Sequence, residues 1–109
     1  MTVVHVVLFS FKDSATAGEV DSVCKGMLAL KDKCIHPTTN KPYIKSAVGG
    51  VDNSPVGLNG GIKYAFVCEF ENAEDRDYYN QKDPAHLELV GSLGIASKVQ
   101  VIDFTPGVF

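Results

Sequence analysis

The residue types in this chain best suited to acid–base chemistry lie in the segment Lys82-Asp83-Pro84-Ala85-His86. Asp83 has a side chain that favours the N-cap of a helix, and Pro84 fits the first helical position because no N–H is needed there. His86 then falls in the first turn, where its N–H is expected to bond to the Asp83 carboxylate. Because the positive end of the helix dipole disfavours the imidazolium, the ring is predicted to be neutral and able to act as a general base. The alternative is a simple helix start with a half-exposed His86.

Composition and charge exclude several classes of protein. The 109 residues suffice for one domain, which we assign to residues 1–109, with an ordinary globular composition. A net charge of −3 without a basic cluster argues against a nucleic-acid surface, and no apolar run is long enough to span a membrane. Cys24, Cys34 and Cys68 are odd in number and lack CxxC spacing, so we expect free thiols in a reducing, cytoplasmic setting.

The first strand that must position this chemistry, residues 3–11, is apolar on both faces. Alternation places His5, Val7, Phe9 and Phe11 on one face, and Val4, Val6 and Leu8 on the other. In a chain this small, helices can cover only one face of a sheet. The face with Val4, Val6 and Leu8 is therefore predicted to pack against a second copy of the chain in a homodimer.

The remaining pattern alternates between helical and strand periods. A helix capped by Ser14 or Thr16 is predicted to end near Cys34, and shorter helices to start after Asn72 and at Pro84. Strands are predicted over 43–48, 62–70 and 99–104. This order predicts an α+β, ferredoxin-like split βαβ sandwich, a four-stranded antiparallel sheet with helices on one face. The long connection 51–61 is either a rim over a pocket or a surface loop.

Three motifs in the chain resemble the stress-responsive A/B barrel family: VVHVVLFSFK at the amino terminus, DPAH at 83–86, and the closing VIDFTPG. The resemblance spans nearly the whole chain and implies a dimeric α+β barrel of two sheets packed face to face. The family includes cofactor-independent polyketide cyclases, in which a histidine of the PAH element acts as base and a tyrosine assists. This implies that His86 is the base and that His5 faces the same pocket. The tyrosine position falls on Asn80, or on Tyr79 if one residue is inserted.

Together these considerations predict one apolar pocket inside the subunit for a small apolar ligand. Its polar groups would be His86, Tyr79 and His5, and its binding wall would include Val7, Phe9, Tyr64, Phe66, Tyr78 and Leu87. No metal or organic cofactor is expected, because His5, His36 and His86 are scattered over different elements. Two functions remain open: an enzyme that enolises and then cyclises or isomerises a carbonyl substrate, and a non-catalytic, stress-induced dimeric binding protein.

Overall fold

The protein is described by a computed structural model that covers residues 1–109. Its elements in chain order are β1 (Val3–Phe11), α1 (Ala17–Lys33), β2 (Ile44–Val51), β3 (Tyr64–Phe70), α2 (Ala73–Gln81), α3 (Pro84–Val90), a single 3-10 turn (Leu93–Ile95) and β4 (Ala96–Phe104). The strands form one antiparallel sheet in the order β2-β3-β1-β4. This confirms the predicted ferredoxin-like arrangement. None of the helices is long and apolar enough to cross a membrane.

Four of the predicted strand boundaries differ in the structure, where β2 begins at Ile44 and not at residue 43. β2 continues to Val51 because Val51 pairs with Tyr64, and β4 begins at Ala96 because that residue pairs with Phe11. β3 begins at Tyr64 and not at residue 62, since the N–H of Ile62 bonds to the Asn59 carbonyl in a turn. Pairing partners far along the chain therefore set the end of β2 and the start of β4, which local periodicity does not report.

Side-chain caps start the helices where the sequence predicts. Thr16 caps α1 in a capping box with Glu19, and Asn72 caps α2 by accepting a hydrogen bond from the N–H of Asp75 at 2.8 Å. Asp83 caps α3, but its carboxylate accepts from the N–H of Ala85 at 2.9 Å. The predicted bond from the His86 N–H is therefore wrong.

The reason for that difference is that both Asp83 oxygens have other partners. Oδ1 accepts from Ala85, and Oδ2 accepts from the Tyr43 hydroxyl at 2.5 Å. The N–H of His86 lies instead against the sulfur of Cys34. Asp83 itself is only 1% exposed, so its hydrogen bonds replace water almost completely.

The helices cover one face of the sheet, as predicted. Two buried clusters lie between the sheet and the helices: Leu30, Cys34, Ile44, Phe70 and Tyr79 in one, and Val7, Phe9 and Phe66 in the other. The opposite face aligns Val4, Val6 and Leu8 of β1 with Phe104, Ile102 and Gln100 of β4, and no helix packs on it. Val4 is buried by its neighbours, whereas Val6 and Leu8 are half-buried and Ile102 is exposed.

Loss of the Asp83 carboxylate is expected to destabilise the protein more than loss of the exposed Thr16 cap. Asp83→Ala removes a helix cap and also leaves the half-buried Tyr43 without the acceptor of its hydroxyl, at a combined cost of about 2–4 kcal/mol. Thr16→Ala removes a solvent-exposed cap and should cost about 1 kcal/mol. Urea unfolding of both variants measures the difference, and equal free energies of unfolding would contradict the buried role of Asp83.

Candidate active site

A pocket of about 230 Å³ lies between the end of α2, α3 and the helix-facing side of β1 and β4. Nine of its twelve lining residues are hydrophobic. The polar ones are His5, Asn80 and His86, and the others are Val7, Phe9, Met27, Tyr79, Leu89, Val90, Leu93, Val99 and Val101. No Asp, Glu, Lys or Arg lines the pocket, so its walls are apolar apart from two imidazoles, an amide and the phenol of Tyr79.

Tyr79 lies between the two histidines of the pocket. The ring of His86 stacks on it with centroids 3.9 Å apart and 25° between planes, and the His5 ring meets it edge-on at 5.6 Å. Tyr79 is only 2% exposed, and burial raises the pKa of its hydroxyl above the ordinary value. Tyr79 therefore stays protonated and holds both imidazoles in place by contact.

His86 carries an unsatisfied polar atom. Its Nδ1 is shielded from solvent and has no hydrogen-bond partner in the protein. Burial lowers the pKa of His86, the nearby His5 lowers it further, and the Tyr79 carbonyl and Asp83 act in the opposite direction. An unsatisfied buried polar group costs about 1–3 kcal/mol, so this arrangement of the His86 ring is held at a cost in stability.

His5 is held quite differently. It is 4% exposed, and its Nδ1 donates to Oδ1 of Asp103 at 2.6 Å. The second oxygen of Asp103 accepts from Nη1 of Arg76 at 3.0 Å. Sequence analysis did not assign Asp103 or Arg76 to the site. Asp103 was visible only as a polar residue in an apolar strand, and the register that sets it opposite His5 comes from the folded sheet.

The structure brings five of the predicted site residues to the pocket: His86, Tyr79, His5, Val7 and Phe9. Both Tyr79 and Asn80 line it, and Tyr79 is the one that stacks on His86. Phe66 lines a separate apolar cavity of about 20 Å³. That cavity shares a wall with the pocket, formed by His5, Val7, Met27 and Tyr79.

Tyr64, Tyr78 and Leu87 lie outside the pocket, which corrects their predicted place in its wall. Tyr64 is at the far end of β3, where its ring meets Phe11 edge-on at 5.2 Å. Tyr78 precedes Tyr79 on a helix and so points about 100° away, against Tyr43. Leu87 follows His86 in the same way and is exposed.

The long loop does not form a rim over this pocket. Residues of 51–61 border a groove with Leu8 and Gln100, on the sheet face without helices.

The third histidine, His36, lies away from the pocket, with its Nε2 3.5 Å from a carboxylate oxygen of Asp75. No three His, Cys, Asp or Glu side chains converge in a group that could hold a metal ion.

The sequence matches a family model over most of its length. Residues 3–106 match the stress responsive A/B barrel domain. The chain belongs to this family. A stress-response A/B barrel domain-containing protein of Arabidopsis thaliana, HS1, is 34% identical over 103 residues, covering 94% of this chain and 87% of that protein.

Two solved structures of low sequence identity show the same fold. A hydroxynitrile lyase from Passiflora edulis is 19% identical with a TM-score of 0.83, covering 99% of this chain and 96% of its own. A protein from Thermobifida fusca, described as dimeric, ferredoxin-like and of unknown function, is 21% identical with a TM-score of 0.72, covering 96% and 91%. At these identities the similarity is one of fold.

The lowered pKa of His86 has a measurable consequence for stability. The unfolded state, with a pKa near 6.5, binds a proton more readily than the folded state. The contribution of His86 to the free energy of unfolding is therefore lost as the pH falls below about 6.5. NMR titration should place the folded pKa below 6.5.

Substitution isolates the contribution of this one histidine. The free energy of unfolding of the wild type should fall between about pH 7.5 and pH 5.5, and that of His86→Gln should fall by less. Urea unfolding of the wild type and the variant at both pH values measures this. His36→Gln, outside the pocket, is the matched control. A His86 pKa above the reference value, or an identical pH dependence in the His86 variant, would contradict burial of a neutral ring.

Proposed function

We propose that this A/B barrel protein is a cofactor-independent enzyme that moves a proton on a small, largely apolar carbonyl substrate, leading to cyclisation or isomerisation. The observation that carries the proposal is the imidazole of His86 in the wall of an apolar pocket, stacked on Tyr79. A neutral imidazole has one unprotonated nitrogen, which can accept a proton. The lowered pKa of His86 keeps the ring in that form near neutral pH.

The steps of the proposed reaction need only groups that line the pocket. His86 takes a proton from the carbon next to a carbonyl, and the protonated Tyr79 hydroxyl donates a hydrogen bond to the enolate oxygen that forms. In a cyclisation the enolate carbon attacks a second carbonyl of the substrate, and the proton returns from His86 to the new alkoxide. In an isomerisation it returns to a different carbon. General-base catalysis accounts for about 10²–10⁴-fold, and orientation in the pocket adds to it.

The size and lining of the pocket support a particular class of substrate. Its volume of about 230 Å³ is below the roughly 300–1,000 Å³ typical of sites for drug-sized ligands. Because no charged side chain lines the pocket, a neutral molecule with one polar end and an apolar remainder suits it best. A short poly-β-ketone has this character.

The hydroxynitrile lyase from Passiflora edulis supports a catalytic role for the fold. Hydroxynitrile cleavage also begins with removal of a proton, there from a hydroxyl group. With only 19% identity, this similarity makes hydroxynitriles a second probe and does not assign the reaction.

Replacement of His86 tests the proposal. With a short linear poly-β-ketone or an aliphatic hydroxynitrile as probe, His86→Ala should lower turnover at least about 100-fold. Its thermal midpoint should stay near that of the wild type, since the lost stacking on Tyr79 is offset by removal of an unsatisfied nitrogen.

His36→Ala is the matched control, because His36 is a histidine outside the pocket. It should retain full turnover. Product formation followed by mass spectrometry, and cyanide release for the hydroxynitrile, measure the two probes. Equal turnover by His86→Ala and the wild type would refute the role of His86.

A second candidate is a non-catalytic protein that binds a small apolar ligand. It is favoured by the predominantly apolar lining of the pocket and by the relative HS1, which is described by stress response and by no reaction. A wild type that binds an apolar ligand in calorimetry and turns over neither probe would favour this candidate.

We also propose a reducing, cytoplasmic setting for either function, because the three cysteines are free in the structure.

We further propose that the protein is a homodimer through the sheet face carrying Val4, Val6 and Leu8, forming an α+β barrel. Exposed apolar side chains on this face are Ile102 and Phe104 of β4 and Val48 of β2, beside the polar Gln100. The Thermobifida fusca protein of the same fold is described as dimeric. Burying a side chain such as Ile102 would stabilise the dimer by about 1.5–3 kcal/mol per subunit.

Neighbouring residues on β4 offer a matched test of this interface. Ile102 and Val101 are 57% and 56% exposed, but they lie on opposite faces because Ile102 pairs with Val6 and Val101 with Val7. Ile102→Asp should give monomers or aggregates in sedimentation, since it places charge in the proposed interface. Val101→Asp should remain dimeric. If Val101→Asp dissociates the dimer and Ile102→Asp does not, the interface lies on the opposite face of the sheet from the one proposed.

A further inference from the structure

Three side chains from three elements form a continuous polar chain that ends at the pocket. Arg76 is in α2, Asp103 in β4 and His5 in β1. Nη1 of Arg76 donates to Oδ2 of Asp103 at 3.0 Å, and Nδ1 of His5 donates to Oδ1 of the same carboxylate at 2.6 Å. Each Asp103 oxygen therefore has its own partner, and the carboxylate cannot rotate without breaking one of these bonds.

The chemistry of the carboxylate determines where the proton of neutral His5 resides. An ionised carboxylate only accepts hydrogen bonds, so the ring nitrogen that faces it must carry the hydrogen. A neutral imidazole has one such hydrogen, and Nε2 of His5 is then left with a lone pair. Because His5 is buried and lines the pocket, a ligand is the natural partner for this nitrogen.

We infer that Asp103, held by Arg76, is the positioning residue that fixes neutral His5 with its proton on Nδ1 and presents Nε2 to the pocket as a hydrogen-bond acceptor. The ligand that this arrangement selects carries a hydroxyl or enol O–H that reaches Nε2 of His5. A carbonyl group alone offers Nε2 no hydrogen. The preferred class is thus a small apolar molecule with an enolic or hydroxyl group, as in the enol form of a β-diketone. That this ligand is a substrate rests on the proposed function, whereas the tautomer does not.

A second carboxylate next to Arg76 provides a control for the positioning role of Asp103. Arg76 also donates from Nε to Asp77 at 2.8 Å, so the guanidinium touches two carboxylates. Asp77 is largely exposed, and only Asp103 contacts His5. Asp77→Asn is therefore a matched control for Asp103→Asn, because both remove a negative charge next to Arg76. Only Asp103→Asn leaves a single acceptor oxygen for two donors, so that its NH2 group faces either His5 or Arg76.

The direct test reads the tautomer of His5 by long-range proton–nitrogen NMR of the ¹⁵N-labelled protein at a pH where the ring is neutral. The wild type should show a protonated Nδ1 and an unprotonated Nε2. Asp77→Asn should leave this pattern unchanged, whereas Asp103→Asn should shift the His5 population towards the Nε2–H form. A wild type with its proton on Nε2 would overturn the inference without any variant. An Asp103→Asn protein with the wild-type tautomer would also overturn it.

A second pair of variants tests the role of Arg76. Arg76→Met should broaden or shift the His5 nitrogen signals, because the carboxylate loses one of its two anchors, and Arg76→Lys should partly restore them. If neither substitution changes these signals, Arg76 has no part in positioning. In the wild type, titration with a small β-diketone should shift Nε2 of His5, and the non-enolisable dimethyl analogue should not. Equal shifts with both compounds would refute the O–H preference.

Activity separates this inference from the proposed function. If the wild type turns over a poly-β-ketone, Asp103→Asn should lower kcat/KM by about 10²–10⁴-fold and Asp77→Asn should not. Normal kcat/KM in Asp103→Asn would overturn the positioning role. If the wild type has the predicted His5 tautomer but turns over no probe, the proposed function fails and the arrangement of Asp103 and His5 stands.

Discussion

The geometry of the candidate site depends on the buried carboxylate of Asp83. It holds the first turn of α3 through the N–H of Ala85 and the segment before β2 through the hydroxyl of Tyr43. Together these two bonds fix the short connection between α2 and α3. This connection turns the chain back on itself, so that His86 at the start of α3 stacks on Tyr79 near the end of α2. A carboxylate almost without solvent contact can be tolerated only because its oxygens have such partners.

Two histidines in one pocket acquire different properties from their surroundings. His5 is anchored by a carboxylate that is itself anchored by Arg76. His86 stacks on an aromatic ring, and its Nδ1 is buried without a partner. Burial disfavours the charged form of His86, whereas a carboxylate beside an imidazole determines which nitrogen holds the proton. Titratable groups in such distinct environments can take different roles in the proposed proton transfer.

The two faces of the sheet are covered differently. The face with His5, Val7 and Phe9 is covered by helices and forms the core and the pocket wall. The opposite face, with Val6 of β1 and Ile102 of β4, has no helix over it. A chain of this length can form only one layer of helices. Its sheet is therefore covered on one side, although both sides are apolar. The pocket is formed within one subunit, and the proposed association through the opposite face would leave it intact.

Local sequence signals were sufficient for the element order, the fold class and the caps at Asn72 and Asp83, because caps, turns and periodicity act over a few residues. They also indicated His86 as the chemically distinctive residue. They could not show that Asp103 binds His5, since that pairing depends on the register of β1 with β4. Nor could they show that Tyr64 does not line the pocket. The sequence by itself determined which side chains exist on each face, and only the tertiary structure decided which of them meet, because contacts between distant segments are set by strand register and helix packing.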